Sequence, residues 1–208
     1  MIVLHYTAMD GVAAALERLC APEHEVSAHY LICGHGRIYS LVEEAKRAWH
    51  AGAGQWGNVT DVNSHSIGIE LSNTGETPFS EPQMAALEHL LSDIMNRHRI
   101  APERVIGHSD MAPGRKIDPG VRFDWQRLAW AGVSVWPDNP TGAAPDMPRF
   151  LQALECFGYA VNLPAETLLS AFRLRFRPHA SGPLHPDDMA MASDLAQRFP
   201  VDRKQIST

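Results

Sequence analysis

A chain of 208 residues with 45% apolar residues and a formal charge of −6 can bury one large core, or an ordinary core with a small appendage, and is too apolar for wholesale disorder. The acidic balance argues against a polyanionic partner, which excludes nucleic acid as a first reading. Cys20, Cys33 and Cys156 are odd in number and widely spaced with no CxxC, so neither a disulfide framework nor a thiolate zinc knuckle is suggested and a reducing compartment fits.

In chain order, "MIVLHYT" is a short apolar run that reads as a buried strand ending at His5, and it lacks the basic n-region of a signal peptide. No apolar run approaches the roughly 20 residues that span a bilayer. The expected location is therefore cytoplasmic, or periplasmic if the sequence is a trimmed piece. "VAAALERLC" has helical spacing. "SAHYLICG" and "GRIYSLV" are β-rich runs around Gly34 and Gly36, which predicts a hairpin or neighbouring strands. "SIGIELSN" predicts a central strand. "SEPQMAALEHLLSDIMNRHRI" opens with Ser80 as N-cap and Pro82 in the first turn, and its apolar residues at 84, 87, 90, 91, 94 and 95 predict a helix. "RVIGHSD" predicts one more short strand. Strands mixed with helices point to an α/β fold, a mixed central sheet flanked by helices.

Composition then shifts. "WPDNPTGAAPDMP" holds four of the fifteen prolines in thirteen residues, which predicts a linker over residues 137–148. Beyond it "RFLQALECFGY", "PAETLLSAFRLRFRP" and "HPDDMAMASDLAQRFP" read as three short helices, a small C-terminal module over 149–208.

The chemistry gathers at strand ends within residues 1–136. His5 closes one strand, His108 closes another, and Asp118 follows ten residues later in a loop stiffened by Pro113 and Pro119. Catalytic zinc takes three N or O ligands and keeps a fourth position open, which a His, His, Asp set from separate elements supplies. Each residue also has a plainer reading: a partly buried histidine, a turn histidine, a solvated charge or helix cap. Glu70 interrupts the apolar strand "SIGIEL". With period two, Ile67, Ile69 and Leu71 share one face while Gly68 and Glu70 point to the other, which is either solvent or the floor of a cleft. In a cleft, Glu70 serves as a proton acceptor and Lys116, two residues before Asp118, as the stabiliser of an oxyanion.

Seven segments in order, "VLHYT", "VSAHYLI", "GRIYSLV", "AWHAG", "NSHSIGIEL", "VIGHSDMAPGRKIDPG" and "FDWQRLA", resemble the zinc-dependent N-acetylmuramoyl-L-alanine amidases of the amidase-2 type. That family includes phage amidase lysozymes and is related to peptidoglycan recognition proteins. Residues 149–199 more loosely resemble the three-helix peptidoglycan-binding-like domain of one bacterial branch. The resemblance implies Zn²⁺ on His5, His108 and Asp118, Glu70 as the catalytic glutamate and Lys116 as the stabilising lysine. It places Tyr30 near the metal and assigns Trp49, His50 and Asn63 to the substrate groove. Arg115 is a candidate for pairing with a peptide carboxylate, although an ordinary surface arginine is the simpler reading. His24, His29, His35, His65, His89 and His98 are left structural or exposed.

The expected reaction is hydrolysis of the amide between N-acetylmuramic, or 1,6-anhydro-N-acetylmuramic, acid and L-alanine of the peptide stem. Soluble muropeptides are favoured over cell-wall peptidoglycan as substrate. The expected partners are peptidoglycan fragments or the sacculus, with no nucleic acid and no membrane span, and the chain is expected to be a monomer. A non-catalytic recognition protein of the same fold is the alternative, although such members typically lack zinc ligands that are filled here. An unrelated metalloprotease is disfavoured because no HExxH occurs.

Overall fold

Alternation along the first strand decides where everything else sits. In β1 (Ile2–Tyr6), Ile2 and Leu4 enter one apolar cluster and Val3 enters another, on the opposite face of the sheet. The computed structural model describes residues 1–138 and 144–202, so the predicted linker at 137–148 falls in part on residues outside the described ones.

After β1 come α1 (Val12–Cys20), the hairpin β2 (Tyr30–Ile32) and β3 (Ile38–Ser40), then β4 (Ile67–Leu71). The helix α2 (Glu81–His98), the strand β5 (Val105–Gly107) and the short helices α3 (His108–Met111) and α4 (Trp125–Trp130) complete the first part. The strands form one five-stranded sheet in the order β3-β2-β4-β1-β5, parallel except for the β2–β3 hairpin. This is the mixed α/β sheet expected from the sequence.

Ser80 caps α2 as anticipated, its hydroxyl accepting the Gln83 N–H at 3.4 Å. Met84, Leu87, Leu91 and Ile94 of this helix are buried against Ile2, Leu4, Ile69 and Leu71 on one face of the sheet. The second face is covered by the C-terminal helices α5 (Met147–Phe157), α6 (Ala165–Phe176) and α7 (Pro186–Arg198). Phe150, Phe157, Phe172 and Leu195 from these helices share a continuous apolar cluster with Val3, Trp56 and Ile106. The Trp56 indole meets the rings of Phe157 and Tyr159 edge-on, with centroids 5.4 and 5.0 Å apart. Gly158, at φ 136°, lies so close to that indole that any side chain there would overlap it.

A buried ion pair ties these helices to β5 and α3. The Asp110 carboxylate, fully buried, accepts the Gly107 N–H at 2.8 Å, the Tyr159 hydroxyl at 2.5 Å and Arg175 Nη1 at 2.8 Å. Arg175 also donates to the Val105 carbonyl and Ser134 Oγ, and its guanidinium lies over the Trp125 ring at 4.2 Å.

Two other carboxylates make stability acid-sensitive. Arg97 first, and then Tyr30 and His98, hold the Glu44 carboxyl well below its usual range against the opposing effect of burial. Burial works to raise Asp188, but hydrogen bonds from Arg173 and Arg177 outweigh it and lower that group as well. A depressed folded-state pKa stabilises above the unfolded value and is lost as pH falls through the folded one. Melting temperature is expected to drop as pH falls below about 4. Glu44→Gln should flatten that fall, as measured by thermal unfolding across the acid range; an unchanged slope would remove Glu44 from this account.

Candidate active site

The parallel register brings the chemistry together. β1 and β4 pair with His5 beside Glu70 and Val3 beside Gly68, so the imidazole and the carboxylate leave the same face of the sheet, opposite to Ile69. β5 lies on the other side of β1, and the residue after its last strand position is His108. All three thus sit at the carboxyl ends of adjacent parallel strands, the usual place for a ligand site in such sheets. The loop after α3 returns Asp118 to them, with the Ser109 N–H bonding the Asp118 carbonyl at 2.9 Å.

His5 Nδ1, His108 Nδ1 and Asp118 Oδ2 converge at 2.9 to 3.0 Å from one another. The outer nitrogens of both rings are already engaged. His108 Nε2 lies 2.8 Å from the Ala51 carbonyl, to which it can only donate, and His5 Nε2 lies 3.0 Å from His50 Nδ1. In the neutral His108 ring Nδ1 therefore carries a lone pair aimed at His5 Nδ1 and at the Asp118 carboxylate, two acceptor atoms side by side that a cation between them would satisfy. The donor set of two imidazoles and one carboxylate fits zinc.

Electrostatics agree with that geometry. Burial first, then the neighbouring His108, lowers His5 to about 4, which keeps the ring neutral. Burial opposes the charge on Asp118, but the two imidazoles beside it outweigh burial and hold it below the usual carboxylate range. Glu70 is shifted the other way: burial, then the Asp118 charge, push it up to about 8 against the opposing pull of Lys116. Its Oε2 is buried with no hydrogen-bond partner among the described residues. Burial thus disfavours the charged form of this carboxyl group, which suits a group that takes and returns a proton.

These residues line a cleft of about 520 Å³ that also contains Trp49, Arg115 and Lys116. Glu70 therefore faces a cleft, and the solvent-facing reading of its strand is set aside. Trp49 is 57% exposed at the rim, with Arg47 stacked 4.4 Å from its ring centre, so it is no core residue. Arg115 reaches the cleft, but its guanidinium donates to the Ala51 and Ala53 carbonyls.

Two expected site residues lie elsewhere. Tyr30 pairs in register with Ile69, which turns it to the α2 face and away from the trio; its hydroxyl donates to Glu44 at 2.6 Å. Asn63 is buried outside the cleft lining, and its Oδ1 accepts the N–H groups of His50 and Ala51 at 3.1 and 2.8 Å, supporting the "AWHAG" loop from behind. Sequence reasoning missed His29 and Ser66, which stand behind His50. The glycine inside "SIGIEL" was the available signal, since a glycine within a strand marks a close approach by another group.

Parallel strand ends that converge two imidazoles, a carboxylate and an unpaired acid on one cleft have the equipment of a metal-dependent hydrolase. Residues 1–121 match the N-acetylmuramoyl-L-alanine amidase family. The chain is 37% identical to the N-acetylmuramoyl-L-alanine amidase AmiD of Escherichia coli K12, over 97% of this chain and 84% of that protein. It is 45% identical to the 1,6-anhydro-N-acetylmuramyl-L-alanine amidase AmpD of Haemophilus influenzae over 49% of this chain and 56% of that one. The structure of E. coli AmiD in complex with anhydro-N-acetylmuramic acid-L-Ala-D-gamma-Glu-L-Lys superposes with a TM-score of 0.89 at 36% identity, covering 97% of this chain and 90% of that one. AmpDh3 from Pseudomonas aeruginosa superposes with a TM-score of 0.87 at 34% identity, covering 96% and 91%. The chain belongs to the N-acetylmuramoyl-L-alanine amidase family.

Proposed function

We propose that this amidase hydrolyses the amide between 1,6-anhydro-N-acetylmuramic acid and L-alanine of soluble muropeptides, using zinc held by His5, His108 and Asp118. The observation that carries the reading is the buried Glu70 Oε2, without a hydrogen-bond partner among the described residues, beside three converging metal-donor atoms. When bound, zinc supplies Lewis-acid polarisation of the scissile carbonyl and of the attacking water.

The chain's own residues supply the rest. Glu70 takes a proton from the water as its oxygen bonds to the carbonyl carbon. Lys116, on the cleft wall, offers positive charge to the resulting oxyanion. Glu70 then gives the proton to the L-alanine nitrogen as the carbon–nitrogen bond breaks, which restores the acid to its starting state. Trp49 provides an exposed aromatic face at the rim for the sugar or the stem.

Within this reading residues 1–136 carry the chemistry, and helices α5 to α7 form the C-terminal helical module, with α5 beginning at Met147 inside the segment expected to be a linker. Three free cysteines support a reducing, cytoplasmic setting, and no helix among the described residues is long and apolar enough to cross a membrane. Turnover of wall peptidoglycan is the second substrate reading, supported by the resemblance of the C-terminal helices to a peptidoglycan-binding-like domain.

The test is to incubate the zinc-loaded protein separately with anhydromuropeptides and with purified sacculi and to follow free stem peptide by mass spectrometry. Release from the soluble fragment is expected, and His5→Ala should abolish both release and stoichiometric zinc. No release from either substrate with zinc bound would favour a non-catalytic recognition protein.

A further inference from the structure

The loop "AWHAG" touches the back of both metal-donor imidazoles. The Ala51 carbonyl engages His108 Nε2 at 2.8 Å, and the His50 side chain engages His5 Nε2 at 3.0 Å. Behind His50 the hydrogen-bond chain continues: its Nε2 is 3.3 Å from Ser66 Oγ, and that hydroxyl donates to the Val62 carbonyl at 2.5 Å.

The chain has one consistent direction. A carbonyl only accepts, so the Ser66 proton is committed to Val62 and the Ser66 oxygen must accept from His50 Nε2–H. His50 Nδ1 then holds a lone pair and accepts from His5 Nε2–H. His5 Nδ1 is left bare on the side of His108 and Asp118.

The surroundings are built to hold that ring. Asn63 Oδ1 binds the backbone N–H groups of His50 and Ala51. On β4, a side chain at position 68 would overlap the imidazole, so glycine makes room for it. His29 meets His50 edge-on at 5.8 Å, and both of its own nitrogens are engaged, Nδ1 by the Gly68 N–H and Nε2 by the Lys46 carbonyl.

We propose that His50, backed by Ser66, is a positioning residue that locks His5 in the tautomer presenting its Nδ1 lone pair to the metal, and thereby sets zinc affinity instead of contacting substrate. The inference rests on the zinc reading above. An imidazole free to exchange tautomers spends part of its time with a proton where the ion must bind. A partner on the far nitrogen removes that loss and raises ligand basicity.

Zinc affinity, measured by competition with a chromogenic chelator, tests the idea. His50→Leu is expected to weaken binding by about 10–100-fold. His50→Asn, whose side-chain oxygen can stand in for Nδ1, should recover most of the loss, and Ser66→Ala should weaken binding by a smaller factor in the same direction. Should His50→Leu fold poorly, nitrogen-detected NMR of the wild-type protein must still find His5 protonated at Nε2; the opposite tautomer overturns the proposal. Wild-type zinc affinity in His50→Leu together with a raised KM would overturn it in favour of a substrate contact. If instead wild-type protein binds no zinc, or binds it equally well after His5→Ala, the underlying metal assignment fails first.

Discussion

Replacing Glu70 by Gln is expected to lower kcat by about 10²–10⁴-fold while zinc content stays at the wild-type level. The amide keeps the shape of the side chain and loses only its ability to accept and return a proton. Glu70 stands outside the three converging donors, so the ion should remain. Stability should hold or rise, because burial already outweighs the pull of Lys116 on the Glu70 charge and its buried Oε2 has no hydrogen-bond partner among the described residues. Steady-state kinetics on an anhydromuropeptide, with metal content and melting temperature measured on the same preparation, separates these effects. A near-normal kcat would take Glu70 out of the chemistry, and loss of zinc would reassign it to the metal.

Arg175→Met is expected to cost about 3–5 kcal/mol of stability, read as a lowered urea midpoint, because it strands the Asp110 carboxylate without its ion partner. The side chains of the pair are 1% and 0% exposed, so water cannot take over. Adding Asp110→Asn should recover part of the loss: an asparagine oxygen still accepts the Gly107 N–H, and the uncompensated charge is gone. If Arg175→Met leaves the midpoint unchanged, the pair does not brace the strand end that carries His108.

Much of this was legible from local pattern. The capping serine and apolar spacing of α2 lie within one stretch of chain, as do the strand at "MIVLHYT" and the alternation that put Glu70 opposite Ile69. Pattern alone did not say whether the Glu70 face met solvent or a cleft, since that depends on the residues around 49, 108 and 116 that the chain lays over it, which lie outside its own strand. The Tyr30 expectation failed for a related reason. Which way a strand residue points depends on its register with a non-local neighbour, and Tyr30 pairs with Ile69. Arg173 and Arg175 of α6 are both buried despite their charge, because their partners Asp188 and Asp110 arrive from other segments. Asn63 and His50 were noticed, but only folding shows that one holds the loop of the other.

The pairing of His5 with Glu70 across β1 and β4 makes the centre vulnerable to an error of a single rung. Sliding β1 by one residue against its neighbours would invert which side chains face up and down, sending the imidazole into the oil above α2 and lifting a leucine into the water-filled mouth. Ile2 and Leu4, which never approach a substrate, are thus the proofreaders of the reaction centre: their appetite for the greasy side keeps the strand in frame.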